Sequence, residues 1–504
     1  MRRALFFLLF VSYAYFYQGG GWGQNSRFNL VRAMTIDRSF QIDPYHQSTG
    51  DKAFSNGHYY SDKAPGQAFM ALLIVEPARR AILLAGGDAE TFEGLALLSY
   101  LATLLTVSLT TAVAGVVLFD LARTWGATSG GALFAATAFG LATPIWPLAT
   151  IFIGHALSAA CLVLAFAAAW AIGEPHEGSG YDCAHHRARL TLLRPVVHRE
   201  VALGLTVGLA AGWATVSEFP AAVPAVVLAL WTISHAATHG LRRAARIVGA
   251  MTAGALLCAV VLMTYQYICF GSPFHLAYSS EQGFDGMQQG LFGVTWPRLS
   301  TTRAILLSEY RGLLPLAPLL VAAPFGLARM RHAGGAALIA GVIVFYYVTL
   351  NASYHYWEGG WSFGPRHLSP ALPFLCLGLA PLWDRARQVG RAALLLLWIW
   401  GVAMSLLAVT VMAQPPASFT RPVRELLWPA FRDGDLALST QTFVHHGSDP
   451  GRWRLHQEPR AAWNLGMKLG LTGHASLVPL FLTWTACAFW LRVAHRRPHL
   501  RVRT

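Results

Sequence analysis

The chain has 504 residues, of which 55% are hydrophobic and only 12% charged, a balance that excludes an ordinary soluble domain and reads as an all-α, polytopic membrane protein. The formal net charge of +14 would suit a nucleic-acid binder only if the basic residues shared one solvated face. They stand instead in short clusters between apolar runs, where loop charges orient membrane helices, so no nucleic-acid partner is expected.

Residues 1–23, MRRALFFLLFVSYAYFYQGGGWG, join two arginines, an apolar run and a small-residue end. The layout is close to a secretory signal peptide, but the tyrosine-rich end and the lack of an A-x-A site predict an uncleaved first helix. Arg2 and Arg3 then keep the N-terminus in the cytoplasm and send the next stretch outside. That stretch, 24–66, is polar and carries Asp37, Asp43, Asp51 and Asp62 with Arg27, Arg32, Lys52 and Lys63 among them. Two of the chain's three lysines, Lys52, Lys63 and Lys468, lie here. A carboxylate at a membrane surface can serve as a general base, and a nearby cation can hold a phosphate leaving group; a loop is also charged simply because it is wet.

Residues 67–87 are apolar but interrupted by Glu76, Pro77, Arg79 and Arg80. A charge at mid-membrane costs about 2.5–3.5 kcal/mol on insertion scales, so an interfacial or re-entrant helix pair is expected, closing a first outer loop over 24–93. Spans are expected at 94–122, 130–142, 151–171, 201–217, 219–233, 247–268, 313–327, 336–350, 369–382, 392–412 and 477–491, about twelve with the first helix. The cytoplasmic side then receives Arg123, residues 185–199, Arg242, Arg243, Arg246, residues 329–331, Arg385, Arg387, Arg391 and the tail 492–503. This agrees with the positive-inside rule and puts both termini inside. The expectation is one integral membrane domain over 1–504 in the cell (inner) membrane, with a C-terminal outer loop at 414–474 and an active periplasmic face.

The same count gathers the motif-like segments outside: Trp146–Pro147 with Gly154–His155, the turn 218–220, FGSPFHLAYSSEQGFDG from Phe270, EYRG from Glu309, and NASYHYWEGGWSFGPRH from Asn351. Polar and aromatic side chains converging at one membrane face predict a cavity there. His155 and Glu218 stand at helix ends, where ionisable groups are candidates for function or for satisfied structural roles. Arg366 follows a Gly-Pro turn and either clamps phosphate or snorkels to the interface. The six cysteines, Cys161, Cys183, Cys258, Cys269, Cys376 and Cys487, have no C-x-x-C spacing and read as packing residues. Cys183 with His185 and His186 reads as a solvated loop. There is no P-loop and no short internal repeat.

The order of a first helix, then NSRFxLxRA, then GHYYSDKAPG resembles the first outer loop of the C-type glycosyltransferase superfamily. Its layout is similar to that of the lipid A aminoarabinose transferases and the bacterial protein O-mannosyltransferase-like enzymes. The later GGWSFGPRHL and YRGL segments resemble those of uncharacterised bacterial relatives. Such enzymes carry an acidic pair followed by an arginine and an aromatic, which Arg27 and Phe28 match, and an acid-lysine-proline element, which Asp62, Lys63 and Pro65 match. Where the acidic pair stands, this sequence has Gln24 and Asn25, and an amide cannot take a proton from a hydroxyl.

The resemblance implies inverting transfer of a sugar from a polyprenyl-phosphate carrier to a lipid, glycan or protein acceptor, among membrane lipids at the outer face. Either another carboxylate is the base, with Asp51 and Asp43 first and Glu218 next, or the chain binds or translocates lipid-linked glycans without turnover. Candidate substrate contacts are Asn25, Arg27, Asp62, Lys63, His155, Tyr310, Arg311, Glu358 and Arg366. No cofactor is called for, and a divalent cation is left open.

Overall fold

The computed structural model describes residues 1–173, 199–330, 333, 335–443 and 460–496. Cys183, His185 and His186, most of the 185–199 cluster, Arg331, residues 444–459 of the C-terminal outer loop, and the end of the basic tail lie outside them. The described chain is overwhelmingly helical. Its strands are two short pairs, Phe16–Tyr17 with Trp463–Asn464 and Ala53–Ser55 with His58–Tyr60.

Among the described residues, eight helices are long and apolar enough to cross a membrane: Phe92–Thr124, Gly154–Gly173, Arg199–Ser217, Phe219–Ala237, Leu241–Phe270, Ala336–Ser353, Gln388–Val411 and Gly473–His495. The other four expected spans are shorter or interrupted. Arg2–Ala14 and Ser129–Leu141 have 13 residues each, about 20 Å of helix at 1.5 Å per residue against a hydrocarbon core of about 30 Å. The expected spans at 313–327 and 369–382 are broken into short pieces, Leu313–Leu316, Pro318–Val321 and Ala323–Leu327 in the first, Arg366–Ala371, Leu372–Leu377 and Leu379–Arg385 in the second. Each carries three prolines, Pro315, Pro318 and Pro324, then Pro370, Pro373 and Pro381, and each proline removes a backbone donor from the helical ladder.

Local chemistry sets several helix ends. Thr91 accepts from Gly94 N and Thr128 from Gly131 N, satisfying a free first-turn amide in each case. Gly271, at φ 76, ends Leu241–Phe270 in the left-handed region. That long helix packs tightly against Arg199–Ser217, because a Cβ on Gly208 would lie 2.0 Å from Met251 O. Small residues at such crossings let two backbones approach inside a membrane, where packing rather than the hydrophobic effect joins helices.

The segment expected to form the first outer loop holds two helices. Trp22–Arg32 is buried on nearly every side, and Gly66–Leu84 leaves Leu73 and Leu84 exposed. The pair expected within 67–87 is thus a single helix that runs through Pro77. Between them, Asn56 and Gly57 at φ 51 and 86 make the tight hairpin turn that their dipeptide specifies.

Polar contacts divide the molecule into two ends. At one, Arg2 pairs with Asp120, Thr128 N donates to Asp384 Oδ2 at 2.7 Å, and Glu200 pairs with Arg243 and Arg246. These are ends that the charge pattern assigned to the cytoplasm. The helix ends assigned outside surround a cavity at the other.

Candidate functional site

The cavity has a volume of about 660 Å³ and is walled by the first outer loop, the helix starts at Gly154 and Phe219, the 276–294 loop, and the 354–370 segment. Its lining divides by chemistry. Phe219, Leu276, Met287, Leu291, Phe292 and Leu350 make an apolar part, while Arg27, Asp51, Lys63, Glu218, Glu281 and Arg366 bring charge. Leu291 is also widely exposed on the outer surface, so the apolar lining is continuous with the outside of the protein.

Asp51 and Lys63 share this space and pair at 3.2 Å. Thr49 positions the aspartate: its hydroxyl accepts from Asp51 N at 2.9 Å and donates to Trp22 O at 2.9 Å. The carboxylate therefore lies against the first turn of Trp22–Arg32, where a Cβ on Gly23 would be 3.3 Å from Asp51 Oδ2. A helix N-terminus favours negative charge. So although Gln24 and Asn25 cannot act as bases, a carboxylate from a different segment stands one residue away from them.

Lys63 also donates to Asp62 Oδ2 at 2.6 Å. Asp62 is fully buried behind the lysine and does not line the cavity. Burial pushes its carboxyl up against the pull of Lys63. Burial works to lower Lys63, but Asp51 and Asp62 together overcome it and hold the ammonium protonated.

Arg27 forms the second buried pair, with Glu218 at 2.7 Å. His155 Nδ1 is 3.6 Å from the same Glu218 oxygen, and its ring meets His367 edge to face at 5.3 Å. Glu218 sits at the start of the helix Gly154–Gly173, so close that a Cβ on Gly154 would be 2.4 Å from Oε1. Only glycine leaves that space. Arg366 also lines the cavity; among the described residues no carboxylate pairs with it, and its Nε is buried without a hydrogen-bond partner.

The remaining candidates are placed elsewhere or act on backbone. Asp43 does not line the cavity; it accepts from Tyr59 N at 2.6 Å and pairs with His58 at 2.7 Å, closing the hairpin. Asn25 Nδ2 donates to Ser48 O at 2.7 Å and Thr442 O at 2.9 Å, and Gln24 Nε2 donates to Gly20 O and Gln414 Oε1. These two amides clasp the loop to residues 414–442. Buried Arg311 donates to Gly360 O and Pro415 O, and Tyr310 to Ala417 O. Neither lines the cavity, but Arg311 anchors the turn that presents Glu358 and Trp361 to it.

Sequence reasoning missed Glu281, Tyr278, Tyr354 and His367, all in the lining. Glu281 and Tyr278 lay inside a segment already marked as motif-like. The signal that singles Glu281 out is spatial: Gln282 N donates to Lys52 O at 3.0 Å, and Ala53 bridges Glu281. Among the described residues no three metal-ligating side chains come together. Asp51 and Glu218 are each paired with a cation of the chain itself.

No family model and no curated protein matches the chain. Solved structures similar to it include ArnT from Cupriavidus metallidurans in the apo state, at 17% identity and TM-score 0.46 over 77% of this chain and 60% of that one. ArnT bound to undecaprenyl phosphate is similar at 16% identity and TM-score 0.46, over 85% and 68%. The Archaeoglobus fulgidus oligosaccharyltransferase in the apo form is similar at 10% identity and TM-score 0.44, over 80% and 55%. The chain thus spans 60% of the length of apo ArnT.

Proposed function

We propose that the protein is a membrane glycosyltransferase that moves a sugar from a polyprenyl-phosphate carrier to an acceptor hydroxyl on a lipid, glycan or protein at the outer face. The observation that carries this reading is the pairing of Asp51 and Lys63 in one cavity whose lining passes from charged to apolar. A polyprenyl-phosphate sugar needs both kinds of surface at once. The apolar residues from Leu276 to Phe292 suit the chain, and the cations suit the phosphate.

In this reading the acceptor oxygen attacks the anomeric carbon as the bond from that carbon to the phosphate oxygen breaks. The acceptor's proton passes to Asp51, and the departing polyprenyl phosphate is held by Lys63, Arg27 and Arg366. Fixed cations aimed at charge that develops in the transition state are a large source of rate in a water-poor site. Asp51 is preferred over Glu218, which Arg27 holds more tightly, at 2.7 Å against 3.2 Å for Lys63 on Asp51, and over Asp43, which lies outside the cavity lining.

The test is a reconstituted assay with labelled polyprenyl-phosphate sugars. Release of free polyprenyl phosphate by the wild-type protein, lost in Asp51→Asn, is the expected result. Binding of the same compounds with no release would replace catalysis by carriage or sensing of a lipid-linked glycan.

A further inference from the structure

Around Lys63, at and just behind the cavity wall, carboxylates outnumber cations. Lys63 is shared between Asp51 at 3.2 Å and Asp62 at 2.6 Å, and Arg27 is held by Glu218 at 2.7 Å. Glu281 lines the same space, is brought to this lysine by its backbone bridge to Ala53, and has Oε2 buried with no hydrogen-bond partner. A third carboxylate around one ammonium, partly buried and with no ion pair of its own among the described residues, is favoured in its neutral form.

We propose that Glu281 works as a neutral carboxyl that admits the anionic headgroup of the donor while protonated and repels it once ionised. The inference rests on the glycosyltransferase reading for the identity of the donor, but the binding step it describes does not need turnover.

The groups facing Glu281 support this. Asp51, Asp62 and Lys63 face it from the first outer loop, Tyr354 from the end of Ala336–Ser353, and Tyr278 from its own loop. Burial first, and Asp62 next, push the Glu281 carboxyl up to about 8, with Lys63 pulling the other way. Tyr278 and Tyr354 move further up, away from that window, and Lys63 stays charged through it. A phosphate monoester takes its second charge near pH 6, so the ligand does not change between pH 7 and 9.5. Below about pH 8 the carboxyl is neutral and can donate a hydrogen bond to a phosphate oxygen; above it, two negative charges meet in a poorly screened cavity. Affinity is therefore present on the acid side of this step and lost on the alkaline side.

The experiment uses the full chain in lipid nanodiscs with undecaprenyl phosphate as the probe, its dissociation constant measured from pH 7 to 9.5 for the wild type, Glu281→Gln and Glu281→Asp. The wild type should lose about tenfold in affinity across the range, and Glu281→Gln, neutral at every pH, should bind like the wild type at pH 7 and show no alkaline loss. Glu281→Asp should keep a loss. An alkaline loss that persists unchanged in Glu281→Gln, weak binding of that variant already at pH 7, or no binding by any form would overturn the proposal. A pH-independent affinity with intact transfer would sink this inference and leave the glycosyltransferase reading standing; a pH-gated affinity without transfer would do the reverse.

Discussion

The two ends of the molecule bury their charged pairs to different depths. Around the cavity, Lys63, Asp51 and Asp62 have side-chain exposures of 16, 10 and 0%, and Arg27 and Glu218 of 4 and 9%. At the far end Asp120, at 1%, is held by Arg2 at 37%, and Glu200, at 23%, serves Arg243 at 18% and Arg246 at 58%. Taking an ion out of water costs several kcal/mol, and pairing returns it only with good geometry and further hydrogen bonds. A membrane protein needs charge at its loops to stay wet and oriented, and each far-end pair keeps at least one partner partly exposed. Around the cavity both partners of a pair are sunk, which insertion does not require, and under the proposed function this is where the chemistry is carried.

The most severe way to break this contrast is Lys63→Ala. It removes the ammonium that two carboxylates share, so transfer should fall by about a thousandfold and folding stability by about 3–5 kcal/mol, because Asp62 is left buried and unpaired. Membrane insertion should persist, since the loop lies outside the spans. An active variant would end the phosphate assignment.

Arg366→Ala separates function from stability at the same end. Among the described residues no carboxylate forms an ion pair with this guanidinium, although its charge reaches Glu218, so transfer should drop about a hundredfold with a far smaller change in thermal midpoint than Lys63→Ala causes. A lowered midpoint at full activity would instead make Arg366 structural. Asn25→Asp tests the opposite idea, that the missing acid can simply be restored. A carboxylate there would face the carbonyls of Ser48 and Thr442 that the amide now satisfies, so the variant should lose about 1–3 kcal/mol and gain no activity.

Much of this layout was legible in the chain. Apolar runs set the long helices, arginine clusters set the ends, and the acid-lysine-proline element led to Lys63, whose partner Asp51 lies twelve positions earlier. What was not legible depends on distance in sequence. Arg27 meets Glu218 across 191 positions, and no pattern in either neighbourhood announces it. Glu281 joins Lys63 only because the 276–294 loop lies along residues 52 and 53. The breaks at 313–327 and 369–382 were a different kind of miss. Their prolines were visible, but an apolar average over a window ignores the donors that proline removes. Asn25 taught the reverse lesson: read as a failed catalytic acid, it is an amide because two carbonyls require a donor.

The smallest expected effect belongs to the far end and sharpens the contrast most economically. Arg243 pairs with Glu200 at 2.8 Å, and Arg246 stands on the same carboxylate at 3.3 Å. Removing Arg243 leaves Glu200 with a second cation and partial access to water, so Arg243→Ala should cost about 1 kcal/mol or less and leave transfer at the wild-type rate. Raising the salt should shrink even that difference, because accessible pairs are screened. The Lys63 cluster, buried beneath the outer loop, should not respond to salt in this way. Melting both variants in reconstituted form at low and high ionic strength therefore compares the two kinds of charge directly. Equal salt sensitivity would mean that the cavity pairs are solvated like the loop pairs, and that their burial does not set them apart.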